Sequence, residues 1–537
     1  MNKLFQSYAL IFLSLLMFAF HQPAWIGWMG YLFAPIGFAI FFKAIIDFNF
    51  KKRVIFSFSY FFLAQLIQLS WLSSTKYQGV LILLIYFGLN IIFSIQFSSL
   101  FVFATNSKDI SIKKIFFIAS VWTVFEWSRL FILCGFSFNN IGIAYANNNF
   151  SIKLAAIFGL LGMSFYLILL NLFAFKSYLK KSKKLFAVWA TLAIFPYFFG
   201  YMYEKAYEKK IKDSDKINVC LIQTSLKPEE KNYFPKYKKS FVDVYDQWER
   251  IINLINKNSF EKIDLIVLPE VAIPFGANRD VYPLESIKRF FVDKFGESAL
   301  KYIFEIESGD DTFVSNSFIF KALSKIYNAD FIVGLDDYDI ENNRSYNAAF
   351  YFSNNDIQRY EKQILVPISE YIPFSFLKKI AKDRYNIEGS FSSGEKNKIF
   401  SKYKYSVSIC YEETFSYFMR KQKLDGAALF VNITNDGWFY NSKLPKQHYY
   451  LAKVRAIENG TAIVRSCNTG VTCAIDGLSR VIESINEEDA IDSILVKVPL
   501  FSSKTIYTYF GDIFIISVSF FMIILFFLWP KKNNVGK

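Results

Sequence analysis

Three side chains stand where a buried β-type run gives way to a loop, and between them they supply the parts of a thiol acyl-transfer centre. Glu270 ends the apolar run LIVLPE, Lys362 lies in RYEKQILVP, and Cys410 closes YSVSIC just ahead of YEETF. Ligands of open α/β sheets gather at strand ends, so the placement is favourable. Singly, each has a plainer explanation: a capping carboxylate, a solvated lysine, a cysteine packed as a small hydrophobe. Together they fit one chemistry. A free thiol titrates near about 8.5 and the thiolate is the nucleophile, so Cys410 needs a base or a nearby cation. Glu270 supplies the base, and Lys362 a fixed positive charge for the oxyanion of a tetrahedral intermediate. The alternative, a Cys/His pair, would need His448, which lies in a helix-like segment away from Cys410. The two histidines, His21 and His448, cannot build a conventional metal site, so no metal is expected. The five cysteines (Cys134, Cys220, Cys410, Cys467, Cys473) are too irregularly spaced for a disulfide framework, and Cys467 and Cys473 are expected to stay unbonded.

The elements that position these residues fall between 216 and 500, where short β-type runs alternate with helical patterns. Strands are predicted at Ile217 to Ile222, Asp264 to Leu268, Phe331 to Gly334, Ala348 to Phe352, Tyr405 to Ile409, Ala427 to Ile433 and Thr461 to Arg465. A helix over Phe241 to Ile255 leads into DLIVLPE.

The rest of the chain is of another kind. Of 537 residues, 53% are hydrophobic, 20% are charged, and 63 are Phe; mean hydropathy is +0.24. That composition excludes disordered and collagen-like chains. Apolar stretches at about 4–21, 23–43, 54–73, 79–105, 115–134, 152–175, 185–201 and 513–529 are each near the roughly 20 residues that cross a bilayer as a helix. The first lacks a small-residue cleavage site and is followed at once by the second, so it reads as an uncleaved span.

Basic residues set the orientation. Lys3, Lys43, Lys51, Lys52, Arg53, Lys108, Lys113, Lys114, Lys176, Lys180, Lys181, Lys183, Lys184, Lys531, Lys532 and Lys537 fall on one side of an eight-span arrangement, against Lys76 in the short loops opposite. Both termini are then cytoplasmic, and the region from about Tyr203 to Thr508 is external. The net charge of +15 becomes a topology signal, and nucleic acid is not an expected partner. Within the spans, Glu126 and Arg129 lie three residues apart on one helix and read as a structural pair or a lipid-headgroup contact. So few intramembrane charges argue against a transporter or a non-catalytic scaffold.

LPEVAIP, YEKQILVPISEYIP and CYEETF, in that order, resemble the Glu, Lys and Cys blocks of the nitrilase superfamily. NITNDGWF, then HYYLAKVRAIENGTAIVRSCNTGVTCAIDG, with seven spans before and one after, is similar to its membrane-bound branch, the apolipoprotein N-acyltransferases; FEWSRLFILCGFSFNNIG carries the likeness into the membrane half. The resemblance implies a multi-span α-helical membrane bundle plus an α/β nitrilase-like domain, an αββα sandwich. The domains would be 1–202, 203–508 and 509–537. It implies Cys410 as nucleophile, Glu270 as general base and Lys362 as oxyanion stabiliser, with Asn347, Glu370, Tyr411 and Glu412 at supporting positions.

The implied reaction moves an acyl chain from a membrane phospholipid, through a cysteine thioester, to the α-amine of a diacylglyceryl-modified N-terminal cysteine. It would take place on a monomer in the bacterial inner membrane, with a periplasmic site and without a cofactor. A membrane-tethered amidase acting on small amides is the competing reading. Two positions depart from the family pattern. Gln223-Thr224-Ser225 replaces Gln-Gly-Asn and no Trp follows before Trp248, leaving Tyr233 and Phe234 as the nearest gating aromatics. Ile368-Ser369-Glu370 replaces Phe-Gly-Glu but keeps the carboxylate.

Overall fold

Helices stand at all eight places where hydropathy predicts them: Lys3–Ala19, Met29–Ile45, Phe50–Gln68, Ile82–Ala104, Ile112–Ser128, Ala155–Lys180, Lys183–Lys212 and Asp512–Leu528. The computed structural model describes residues 3–231, 240–307, 312–354, 356–367, 369–372, 391–401, 403–439, 441–485 and 487–528; Tyr233, Phe234 and Ile368 lie outside them. Helices Ile82–Ala104 and Lys183–Lys212 and the helical stretch Ser151–Lys180 are long and apolar enough to cross a membrane; Lys3–Ala19, Met29–Ile45 and Asp512–Leu528 are apolar but shorter. Their entries are set locally, as where Asn49 accepts the Lys52 N–H at 2.9 Å and Ser111 that of Lys114 at 3.2 Å. Large apolar side chains such as Leu84, Ile95, Phe198 and Phe521 face outward. In water they would be a liability; against lipid they are not.

By internal contacts the chain forms two compact units: Met1–Glu208 with Asn441–Gly460 and Lys504–Lys537, and Lys209–Tyr440 with Thr461–Ser503. The partition differs from the linear 203–508 boundary, because helix Leu444–Asn459 belongs with the helical unit. The reason is polar as much as apolar. Helix Ala155–Lys180 is broken at Gly159 (φ 66°), and the freed Leu160 N–H is accepted by Glu458 at 2.9 Å. Gln447 donates to Gln68 O at 2.7 Å and the Tyr450 hydroxyl to Asn147 at 2.8 Å. Earlier in the same unit, Glu126 accepts from Trp122, Asn140 and the Ile141 N–H at 2.9 Å each, with Arg129 at 3.7 Å. Glu126 thus fastens the loop that follows its own helix, which is the structural half of the expectation for this pair.

The second unit contains two six-stranded sheets. The first runs Asp492–Pro499, Lys216–Gln223, Leu265–Val267, Asp330–Asp339, Arg344–Phe352, Ile357–Glu361. The second runs Val481–Ser484, Cys473–Ile475, Ala462–Cys467, Leu429–Thr434, Tyr405–Ile409, Ile399–Phe400. Helices Val244–Asn256, Leu284–Phe295 and Asn316–Tyr327 cover one sheet through Trp248, Ile252, Phe291 and Phe320. Helix Ser416–Leu424 covers the other, with Gln422 donating to Val407 O at 2.8 Å. This is the αββα sandwich the resemblance implies. The strands legible as apolar runs are the well-buried ones, the parallel central strands and the buried stretch of the antiparallel Arg344–Phe352 among them. Strands such as Val481–Ser484, largely exposed, carry no such signal.

Candidate active site

Glu270 sits just past strand Leu265–Val267, where the chain crosses over Gly334 of the neighbouring strand. Gly334 N–H donates to Pro269 O at 3.2 Å, and its own O accepts from Ala272 N at 2.8 Å. A Cβ at Gly334 would come within 2.6 Å of Glu270 Cα and of Pro269 O, so only glycine lets the carboxylate segment lie this close. Lys362 follows strand Ile357–Glu361, and its N–H is held by Asn347 O at 2.9 Å. Cys410 ends strand Tyr405–Ile409 in the left-handed region (φ 51°), the start of a tight turn Cys410–Thr414. A non-glycine residue pays to be there, and such strain gathers at functional sites.

These segments meet in a buried polar network. Lys362 Nζ lies 2.7 Å from Glu370 Oε1 and 3.3 Å from Glu270 Oε1. Asn347 Nδ2 donates to both carboxylates, at 2.7 Å to Glu270 and 3.1 Å to Glu370. Glu370 Oε2 also takes the Val366 N–H at 2.8 Å, which folds its own loop back over Lys362. On the far side of Glu270, Lys231 Nζ donates to the Glu270 main-chain oxygen at 3.2 Å.

Glu412 ties the cysteine turn to the lysine loop. It accepts the N–H groups of Ile409 (2.8 Å), Gln363 (2.6 Å) and Ile364 (3.1 Å), and both its oxygens take the Tyr360 hydroxyl at 2.9 Å. Burial pushes its carboxyl up to about 7, while those donors favour the charged form.

The electrostatics assign states to the groups around the thiol. Burial, with the charge of Glu270 beside it, holds the Cys410 thiol well above its ordinary value; Lys362 and a hydrogen bond from Thr434 pull the other way, and Asp436 adds to the rise. Cys410 therefore rests as a thiol, and its proton must leave during attack. Burial would lower Lys362, but Glu270, Glu370 and Cys410 hold it well above a normal lysine, so it stays charged. Of the two neighbours not read from the sequence, Asp336 is pushed up to about 7 by burial and by Glu270, with Lys231 opposing and Glu370 reinforcing. Lys231 is pushed down to about 8 by burial, against Glu270 and Asp336.

Residues 231–517 match the carbon-nitrogen hydrolase family, and residues 11–173 match the apolipoprotein N-acyltransferase N-terminal domain. The sequence is 31% identical to an apolipoprotein N-acyltransferase of Chlamydia pneumoniae, across 95% of this chain and 94% of that protein. The chain belongs to the apolipoprotein N-acyltransferase family. A relative of the same name from Rickettsia bellii is 28% identical over 83% of this chain and 82% of its own. A solved carbon-nitrogen hydrolase from Helicobacter pylori, 15% identical, aligns with 53% of this chain and 90% of its own at a TM-score of 0.36.

Of the residues singled out in the sequence, Glu270, Lys362, Asn347 and Glu370 share one hydrogen-bonded network, and Cys410 lies within its field. Glu412 belongs to the scaffold beneath it. Tyr411 packs its ring edge-on against Phe415 at 4.9 Å. Cys467 and Cys473 are not joined by a disulfide. Sequence reasoning missed Lys231, Asp336 and a buried ion group in which Arg465 pairs with Glu413 and lies 3.9 Å from Asp436. Asp436 and Arg465 stand inside quoted motifs, NITNDGWF and TAIVRSCNTG, but nothing local marks them as partners. Asp336 had one visible cue, a charged pair Asp336-Asp337 directly after the apolar run FIVGL.

Proposed function

We propose that the protein transfers an acyl chain from a membrane phospholipid to the α-amine of the diacylglyceryl-modified N-terminal cysteine of lipoproteins, by way of a thioester on Cys410. The observation that carries the reading is the shared network of Lys362, Glu270, Glu370 and Asn347, with Cys410 held at positive φ at the end of its strand.

In the first step the Cys410 sulfur bonds to the ester carbonyl carbon while Glu270 takes the thiol proton. Lys362, kept charged by two carboxylates, stabilises the oxyanion. Collapse breaks the ester C–O bond, and Glu270 returns the proton to the leaving lysophospholipid oxygen. In the second step the neutral amine attacks the thioester carbon and Glu270 takes an amine proton. The C–S bond breaks, and that proton goes back to Cys410. Glu370 and Asn347 hold Lys362 and Glu270 at fixed separation throughout, so the charge needed in the transition state is already in place.

Eight helices at the places where hydropathy predicts spans, six of them apolar, and the one-sided distribution of Lys and Arg support an eight-span inner-membrane protein with both termini cytoplasmic and the catalytic unit periplasmic. Both substrates carry chains in one leaflet. A site at that surface avoids extracting lipid into water at about 0.8 kcal/mol per CH₂. The test is single-turnover labelling with a phospholipid bearing a tagged acyl chain. Label on Cys410, release of lysophospholipid and later transfer of the tag to a diacylglyceryl peptide are expected. Turnover of small amides with no lysophospholipid would replace this reading with a tethered amidase.

A further inference from the structure

Asp336 and Asn347 face each other directly across the antiparallel pair Asp330–Asp339 and Arg344–Phe352. Residues so paired project from the same side of a sheet with Cβ atoms about 4.5–5.5 Å apart. Asn347 uses its Nδ2 on the carboxylates of Glu270 and Glu370, and its Oδ1 is buried without a hydrogen-bond partner among the described residues. Asp336 Oδ1 is buried and unpartnered in the same way. Turning the Asn347 amide over does not help, since it would aim oxygen at two carboxylates. Such orphans are costly, and native interiors hold few of them. Two orphaned acceptors on facing residues lack one thing, a hydrogen between them.

We propose that Asp336 is a protonated carboxylic acid in the working enzyme and donates to Asn347 Oδ1, making it the residue that fixes the Asn347 amide against Glu270 and Glu370. Asp336 is thus a positioning residue: it acts on the base and the oxyanion lysine through Asn347. The inference rests on the assignment of Glu270 as the base.

The charged groups around Asp336 agree with a held proton. Glu270 reaches it from the turn after Leu265–Val267, Glu370 from the loop beyond Lys362, and Lys231 from helix Pro228–Lys231. Burial and the two carboxylates raise Asp336 to about 7, and Lys231 offsets part of the rise. The sign follows. As pH rises through about 7 the proton leaves, the two oxygens become mutually repelling acceptors, and a third negative charge appears beside Glu270. Thioester formation should fall over that range in the wild-type protein.

The experiment is single-turnover thioester formation on the full chain with a tagged phospholipid, across pH, for wild type, Asp336→Asn, Asp336→Ala and Glu270→Gln. Asp336→Asn keeps a donor at every pH. It should lose the fall above about pH 7 and, at about pH 6, run roughly 10-fold faster than Asp336→Ala, the loss expected for one hydrogen bond of about 1.4 kcal/mol. Infrared difference spectra of wild type against Asp336→Asn at about pH 6 should contain the carbonyl stretch of a protonated carboxylic acid. A missing band, an Asp336→Asn as slow as Asp336→Ala, or a fall above pH 7 that persists in Asp336→Asn would each overturn the proposal. If instead Glu270→Gln labels Cys410 at the wild-type rate, the assignment of the base fails, and the infrared band still decides on the proton.

Discussion

Replacing Lys362 with Met keeps the stem and removes the charge, which leaves Glu270 and Glu370 facing each other. The Asn347 amide nitrogen is 2.7 Å from one carboxylate oxygen and 3.1 Å from the other, so those oxygens can be no more than about 5.8 Å apart. At an effective dielectric of about 20, two unit charges at that separation repel by about 3 kcal/mol, roughly 100-fold in an equilibrium. The pair in the variant should therefore hold one proton up to a pH about 2 units higher than a lone carboxylate would, which neutralises the base in mildly acid solution. Loss of the oxyanion cation costs a further factor on the order of 10² to 10³. In single-turnover labelling of Cys410, Lys362→Met should thus be slower by about 10² to 10³ near pH 7, and by more near pH 5. Its residual rate should rise between about pH 5 and pH 7 as the captured proton leaves. Adding Glu370→Gln removes one of the two charges and should abolish that rise while leaving the oxyanion deficit. A residual rate that does not vary with pH, or labelling within tenfold of wild type, would refute both the charge separation and the role given to the lysine.

Cys410→Ala should abolish the labelled acyl-enzyme while Cys220→Ala and Cys467→Ala keep it; label on another cysteine would reassign the nucleophile. Gly334→Ala puts a Cβ 2.6 Å from Glu270 Cα. It should cost roughly 1–3 kcal/mol of stability and on the order of 10² in thioester formation, and a variant with wild-type labelling would show that the crossing does not set the carboxylate's position. In the helical unit Arg455 and Glu458 form a fully buried ion pair at 2.9 Å. Arg455→Met should destabilise in thermal unfolding by less than the roughly 3–5 kcal/mol of a stranded buried charge, because burial pushes the Glu458 carboxyl up to about 8 and without Arg455 it takes a proton at neutral pH. Arg455→Met/Glu458→Gln should recover much of that loss, because glutamine still accepts the Leu160 N–H; no recovery would locate the cost in packing.

The sequence by itself located the eight long helices outside the α/β unit, that unit, and the side chains at its strand ends. Each is a local property: about 20 apolar residues in a row, a short run of β-formers, a polar residue directly after such a run. Glu270, Lys362 and Cys410 were legible because each interrupts an apolar pattern at a place where patterns normally end. The family resemblance then added Asn347, Glu370, Tyr411 and Glu412, without saying what these residues touch. Contacts made over long separations in the chain were decided by the tertiary structure alone. That Asp336 faces Asn347 depends on strand register, which a slip of one residue would reverse. That Lys231 reaches the Glu270 carbonyl depends on segments 39 residues apart. That helix Leu444–Asn459 belongs with the membrane-type helices depends on a broken turn at Gly159 whose orphaned N–H needs Glu458, 298 residues away along the chain. Burial gives these charges and orphaned atoms their energetic weight, and burial exists only once distant segments have packed.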